Sequence, residues 1–212
     1  MSLYQIFFLI LVYLISSIPF SLLLAKVFNG IDIRRFGDGN PGAANAWHYG
    51  GKIAGLLGLC FDISKGSIPV LVAQNYWRDS ELVLALAATL AVSGHAYSLY
   101  LNFNGGKALA VTAGVFLALS GYFFPLLWLF IVGVCCFFDI PFVEGVVMTL
   151  ILVIIHTIIV FKSWYLSLGV ITISLIVILK HLKVLSLALK SNFSLFRKIT
   201  HLILPKTNNF PE

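Results

Sequence analysis

Residues 53–76 read IAGLLGLCFDISKGSIPVLVAQNY. The stretch exceeds the roughly 20 apolar residues that a helix needs to cross the hydrocarbon core of a bilayer. Its only charges are Asp62 and Lys65, three positions apart and so on one face of a helix, where they can pair. A charged side chain at membrane depth costs roughly 2.5–3.5 kcal/mol on insertion scales. A pair held there either fixes helix packing or marks a site. The run is predicted to be a spanning helix with one polar face, and that reading decides the fold class.

The rest of the chain agrees with it. Of 212 residues, 60% are apolar and only 10% charged, against about 25% charged in a soluble domain. Mean hydropathy is +1.00. Such a composition excludes a water-soluble globule and a disordered chain. Further apolar runs cover residues 3–24, 81–101, 108–120, 122–138, 143–161 and 164–179. They are continuous rather than alternating, which argues against a lipid-exposed barrel. Gly121 and Pro125 separate the fourth run from the fifth. The fold expected is all-α: a polytopic membrane protein of seven transmembrane helices, one domain over residues 1–212. The first run lacks a basic flank before it and is too long for a cleaved leader, so it is expected to remain as a span.

Charge sets the orientation. With seven spans and an external N-terminus, one side carries Lys26, Arg34, Arg35, Lys52, Lys107, Lys180, Lys183, Lys190, Arg197, Lys198 and Lys206. The other carries Arg78 and Lys162. The positive-inside tendency then puts the loop at 25–50 and the C-terminus in the cytoplasm. The tail 180–204, alternating basic and apolar residues, is expected to lie on the membrane as an amphipathic helix. A net charge of +6 beside apolar runs points to anionic lipids or an anionic substrate, not nucleic acid. Cys60, Cys135 and Cys136 have no zinc spacing and read as small buried apolar residues.

The polar positions carry the functional information. The loop at 30–45 holds Gly37, Gly39 and Gly42, with Asn40, Asn45, Arg34 and Arg35 around them. Glycines let the backbone turn and approach a ligand, and consecutive free N–H groups make a concavity for an anion. Taken alone, the loop also reads as an ordinary Gly/Asn turn beside membrane-surface arginines. Gly94-His95 is followed by Asn102-Phe103-Asn104-Gly105-Gly106-Lys107, a flexible turn that presents one ammonium. It lacks the Walker spacing. Lys180-His181 ends the seventh run. In the seven-span arrangement the glycine loop, the Lys107 turn and His181 share the cytoplasmic face. Three anion-friendly elements there point to a phosphate-bearing ligand, with apolar spans beside them for an acyl chain.

Four ordered blocks resemble the PlsY family of membrane acyltransferases. Ser17-Ile18-Pro19 resembles its opening motif. Asp32-Ile33-Arg34 followed by Gly37-Asp38-Gly39-Asn40-Pro41-Gly42-Ala43-Ala44-Asn45 resembles Asp-x-Arg and Gly-Ser-Gly-Asn-x-Gly-Ala-Thr-Asn. Asp62-x-x-Lys65-Gly66-x-x-Pro69 resembles its second motif. Gly94-His95 with Phe103-x-Gly105-Gly106-Lys107 resembles Gly-His and Phe-x-Gly-Gly-Lys-Gly. The chain departs from the pattern at Asp38 (a serine in the family), Ala44, His48, Ala108, Val111, Glu144, Val147, Val184 and Leu187. A carboxylate at 38 would repel phosphate unless protonated or paired with Arg34 or Arg35.

The resemblance implies a reaction: the hydroxyl of glycerol 3-phosphate attacks acyl phosphate, giving 1-acyl-glycerol 3-phosphate and inorganic phosphate in the bacterial inner membrane. It implies no metal, coenzyme A or acyl-enzyme. On that resemblance Lys107, Asn40 and His181 are expected to serve catalysis. Arg34, Gly37, Gly39, Gly42, Asn45, Gly105 and Gly106 are expected to hold substrate and phosphate. Asp62, Lys65 and His95 are expected to be structural polar residues. The expected partners are acyl phosphate, glycerol 3-phosphate and membrane lipids. The competing readings are a catalytically weak paralogue that binds acyl or phospholipid-type ligands, motivated by Asp38 and Ala44, and a small transporter, motivated by the Asp62/Lys65 pair. The lack of an inverted repeat stands against the transporter.

Overall fold

A computed structural model describes residues 1–120, 154 and 163–181, and all regular structure among them is helical. The helices are α1 (Leu3–Ser16), α2 (Phe20–Asn29), α3 (Ala43–Tyr49), α4 (Lys52–Tyr76), α5 (Glu81–Ala96), α6 (Leu109–Ser120) and α7 (Trp164–His181). Short 3-10 turns lie at Ile33–Arg35 and Leu99–Leu101. Three helical stretches are long and apolar enough to cross a membrane: Lys52–Tyr76, Glu81–Leu101 and Trp164–His181. The expected spans at 122–138 and 143–161 fall outside the described residues apart from residue 154, as does the tail beyond His181.

The first apolar run, expected as one span, is two helices bent by 41° at a break between Ser16 and Phe20. Proline 19 is the reason. It has no N–H to continue the ladder, and its ring disfavours the helical region at Ile18. Ser17 closes α1 by donating its Oγ–H to the Tyr13 carbonyl at 2.8 Å. At the other end Ser2 and Gln5 form a reciprocal capping box, 2.7 and 3.3 Å. The fourth run forms α6, which is helical up to Ser120, the last described residue of that stretch.

Large side chains face outward and small ones inward. Leu3, Phe7, Ile10 and Ile15 of α1 and Ile53, Leu56 and Ile68 of α4 are exposed, whereas Ala88, Ala91, Val92, Ala96, Val111 and Val115 are buried. Lipid tails are as apolar as leucine, so helices in a bilayer associate by close packing, not by hiding leucines. The α4–α6 contact shows how close. A Cβ on Gly66 would run into the Val111 carbonyl, and one on Gly114 into the Ile63 carbonyl. Cys60, expected inside, is exposed on α4.

Long-range ties set the relative direction of two helices. Ser163, just before α7, donates its Oγ–H to Glu81 Oε2 at the start of α5, 2.6 Å. Further along, Gly169 lies against Ala85 and Thr89 and the Lys180 ammonium over the Tyr97 ring, so α5 and α7 run the same way and His95 and His181 end towards the same face.

Candidate active site

The site is assembled on that face from the glycine loop and the turn before α6. Gly30 closes α2 in the left-handed region, φ 67°. Asp32 then caps the 3-10 turn and takes the Arg34 guanidinium in a two-point grip, Nε to Oδ1 at 2.9 Å and Nη2 to Oδ2 at 2.6 Å. Lys26 stands 3.4 Å from the same carboxylate. The Arg34 hydrogen bond holds the Asp32 carboxyl well below its ordinary range against a smaller effect of burial. Arg34, expected to bind phosphate, is thus occupied by its own neighbour.

Asp38 sits between Gly37 (φ 57°) and Gly39 (φ 75°), two backbone positions that glycine takes without strain. Its Oδ1 accepts from the Asn40 backbone N–H at 3.1 Å and from Asn45 Nδ2 at 3.0 Å. Its Oδ2 meets Lys107 Nζ at 2.6 Å. Neither arginine named as its partner from the sequence holds it: Arg34 is taken by Asp32, and the Lys107 ammonium arrives from a distant turn. Burial pushes the Asp38 carboxyl up, but Lys107, the Asn40 amide and Asn45 together bring it below its ordinary value. Asn45 is itself fixed, because Nδ2 also donates to the Phe36 carbonyl at 3.2 Å. Gly42 caps α3 beside the Asn40 side chain.

The Lys107 turn rests on a buried polar floor. Asp62 Oδ1 pairs with Lys65 Nζ at 2.8 Å and lies 3.4 Å from His95 Nδ1. Ser21 Oγ donates to Asp62 Oδ2 at 3.2 Å, and Lys65 Nζ donates at 3.0 Å to the Ile18 carbonyl, which also accepts from the Phe20 N–H at the break after α1. Ser98 Oγ donates to the Ser17 carbonyl at 2.5 Å. Above this floor the Gly105 and Gly106 N–H groups donate to the carbonyls of Ala96 and His95, at 3.2 and 3.1 Å. A Cβ on Gly106 would strike the His95 ring, and one on Gly105 the His95 carbonyl. The glycines are therefore needed where the turn lies flat on α5. A cavity of about 10 Å³, about what one water needs, opens among Pro41, Asp62, Lys65, His95, Ser98 and Gly105. Ser17, Ser21 and Ser98 belong to this floor, and sequence reading missed their roles. The cue available was a run of hydroxyls inside apolar segments.

Two further features border the site. His181 is 3% exposed, with Nδ1 2.7 Å from the Val177 carbonyl. A carbonyl only accepts, so Nδ1 carries the proton and Nε2 keeps its lone pair in the neutral ring. Nε2 is buried with no partner among the described residues, and the charges of Lys107 and Asp38 both act on the ring. On the other side of Lys65, an apolar groove of about 370 Å³ runs between α1 and α4, lined by Phe8, Val12, Ile15, Phe20, Phe61 and Ile68.

This architecture defines a helical protein of apolar membrane type with a glycine-rich loop clasped to Lys107 at one end of its bundle. A family model described as Glycerol-3-phosphate acyltransferase matches residues 6–190. The chain belongs to the glycerol-3-phosphate acyltransferase family. It is 46% identical over 112 residues to the glycerol-3-phosphate acyltransferase of Wolbachia pipientis from Culex pipiens, covering 53% of this chain and 58% of that one. To the enzyme of that name from Thermotoga petrophila it is 44% identical over 128 residues, covering 59% and 65%. The chain thus spans about 58–65% of the length of these relatives. The fold is also that of the crystal structure of PlsY, an integral membrane glycerol 3-phosphate acyltransferase, in its glycerol 3-phosphate form. The TM-score is 0.78 and the identity 30%, over 89% of this chain and 93% of that one.

Proposed function

We propose that the protein transfers an acyl group from acyl phosphate to the sn-1 hydroxyl of glycerol 3-phosphate, releasing inorganic phosphate. The observation that carries the reading is the meeting of Lys107 with the Asn40–Asn45 loop, next to an apolar groove that reaches Lys65. Family membership and the likeness to PlsY support it.

Acyl phosphate is already activated, so the protein mainly positions two anions and stabilises charge. The glycerol oxygen bonds to the acyl carbon, the bond from that carbon to the phosphate oxygen breaks, and its electron pair leaves on phosphate. Lys107 neutralises phosphate charge, and the Asn40 N–H and Asn45 Nδ2 donate to phosphate oxygens. His181 Nε2 takes the proton of the attacking hydroxyl. Arg34, through Asp32, and the glycines at 37, 39 and 42 shape the loop. The groove between α1 and α4 takes the acyl chain.

Around this site the reading is a single membrane-embedded domain over residues 1–212 with seven spans, external N-terminus and cytoplasmic C-terminus, in the bacterial inner membrane. The basic excess on the face of Lys26, Arg34, Arg35 and Lys107 supports that orientation. The tail at 180–204 lies on lipid.

The test is acyl transfer from acyl phosphate to labelled glycerol 3-phosphate by purified protein. Product from the natural protein and little from Lys107→Ala supports the reading. No product, or equal product from both, contradicts it. A second reading, a paralogue that binds without turnover, is favoured by the Asp38–Lys107 bond. Binding of acyl phosphate without phosphate release would select it.

A further inference from the structure

The Asp38 carboxylate occupies the donors that a phosphate would use. Its two oxygens take a backbone N–H, an amide N–H and an ammonium, at 3.1, 3.0 and 2.6 Å. Two of these donors are set by other parts of the molecule. Asn45 is held by the Phe36 carbonyl, and Lys107 is carried on the turn that lies against His95. The Asn45 donor and the turn that carries Lys107 are thus placed without Asp38. The glycines on either side, both at positive φ, fold the Asp38 side chain back over the loop. The Asp38 side chain is 42% exposed and that of Lys107 29%, so the pair is open to exchange with an anion from solution.

We propose that Asp38 is an internal stand-in for substrate phosphate and sets the phosphate affinity of the site. This rests on the acyl-transfer reading for which phosphate is bound, but not for whether one is bound. In the empty site the carboxylate keeps the ammonium over the loop. An arriving phosphate monoester displaces the carboxylate from Lys107 or shares the ammonium with it. Two anions within about 4 Å repel, so Asp38 weakens phosphate binding. The phosphate has two sources, the acceptor or the acyl donor, and the same chemistry serves either.

The experiment uses the full chain in detergent with Asp38→Asn, which keeps the shape and removes the charge, and Asp38→Ser as a second variant. Inorganic phosphate binding is read by calorimetry. KM is then read for glycerol 3-phosphate at saturating acyl phosphate, and for acyl phosphate at saturating glycerol 3-phosphate. The expected result is phosphate bound about tenfold or more tighter in both variants, with a matching fall in KM for the substrate whose phosphate uses the cradle. Phosphate bound equally or more weakly in the variants overturns the proposal and makes Asp38 a positioner of Lys107. Tighter phosphate with neither KM lowered also overturns it, since the cradle would then serve neither substrate. If no variant makes product, the acyl-transfer reading fails, while the phosphate isotherm still decides the role of Asp38.

Discussion

Among the described residues, two of the aspartate–lysine pairs are of nearly equal length and opposite character. Asp62 and Lys65 stand 2.8 Å apart with side chains 3% exposed, whereas Asp38 and Lys107 stand 2.6 Å apart at 42% and 29%. Distance does not separate them; solvent does. A buried charge that loses its partner has no water to replace it, so breaking such a pair costs about 3–5 kcal/mol. An exposed pair is worth about 0–1 kcal/mol, because water and salt screen it. The buried pair is therefore a floor that stays closed, and the open pair is one that a ligand can break. The proposed chemistry uses an exchangeable lysine above a fixed support, and this fold rests the Lys107 turn on the His95 end of that floor.

The largest effect expected is on the floor. Asp62→Ala or Lys65→Ala, each leaving one buried charge unpaired, should lower stability by about 3–5 kcal/mol in detergent unfolding. Asp62→Asn combined with Lys65→Met should recover most of that loss. A single substitution costing under about 1 kcal/mol would erase the contrast between the pairs.

His181, buried at the end of α7, sharpens the comparison from beside the open pair. His181→Gln should lower kcat about 10²-fold or more while leaving the unfolding midpoint near that of the natural protein. An unchanged kcat would remove the histidine from proton transfer.

Acid should reach the open region through its carboxylates. Asp32 and Asp38 both titrate below the ordinary value of 3.8 when folded. Their contribution is then fully present above the unfolded value and is lost as pH falls through the lower, folded values. Protection of the loop amides, taken relative to the intrinsic exchange rate at each pH, should be flat from neutral pH down to about that value and fall below it. Asp32→Asn should remove much of the acid dependence. Loosening already at pH 6 would contradict the assignment.

The smallest effect is at Ala108, which follows Lys107 at φ 65°. A side chain in this region is strained by about 1–2 kcal/mol, and glycine's extra freedom when unfolded offsets part of that. Ala108→Gly should raise stability by up to about 1 kcal/mol, read in the same unfolding assay.

Much of this was legible in the sequence, and the gaps have physical causes. The runs at 53–76, 81–101 and 164–179 appear as helices because twenty apolar residues in lipid have one way to satisfy their backbone. The i, i+3 spacing of Asp62 and Lys65 already implied their pairing. The break after α1 was masked by hydropathy, which runs unbroken through Ser17 and Pro19, although the proline held the reason. Asp38's partner was not legible because Lys107 is distant in sequence, and the nearer Arg34 looked available until Asp32 was seen to hold it. The hydroxyls of Ser21 and Ser98 were passed over because hydropathy counts them as nearly neutral, while in the floor each answers a specific acceptor.

The central claim is that Lys107 belongs to a phosphate site and not to the scaffold. Binding of inorganic phosphate to the natural protein and to Lys107→Ala, measured alongside thermal unfolding of both, tests it most directly. Affinity should weaken at least about tenfold in Lys107→Ala, the worth of one charge-assisted hydrogen bond, with the two unfolding midpoints within a few degrees. Equal affinity, or a loss of binding that simply follows a loss of fold, would contradict it.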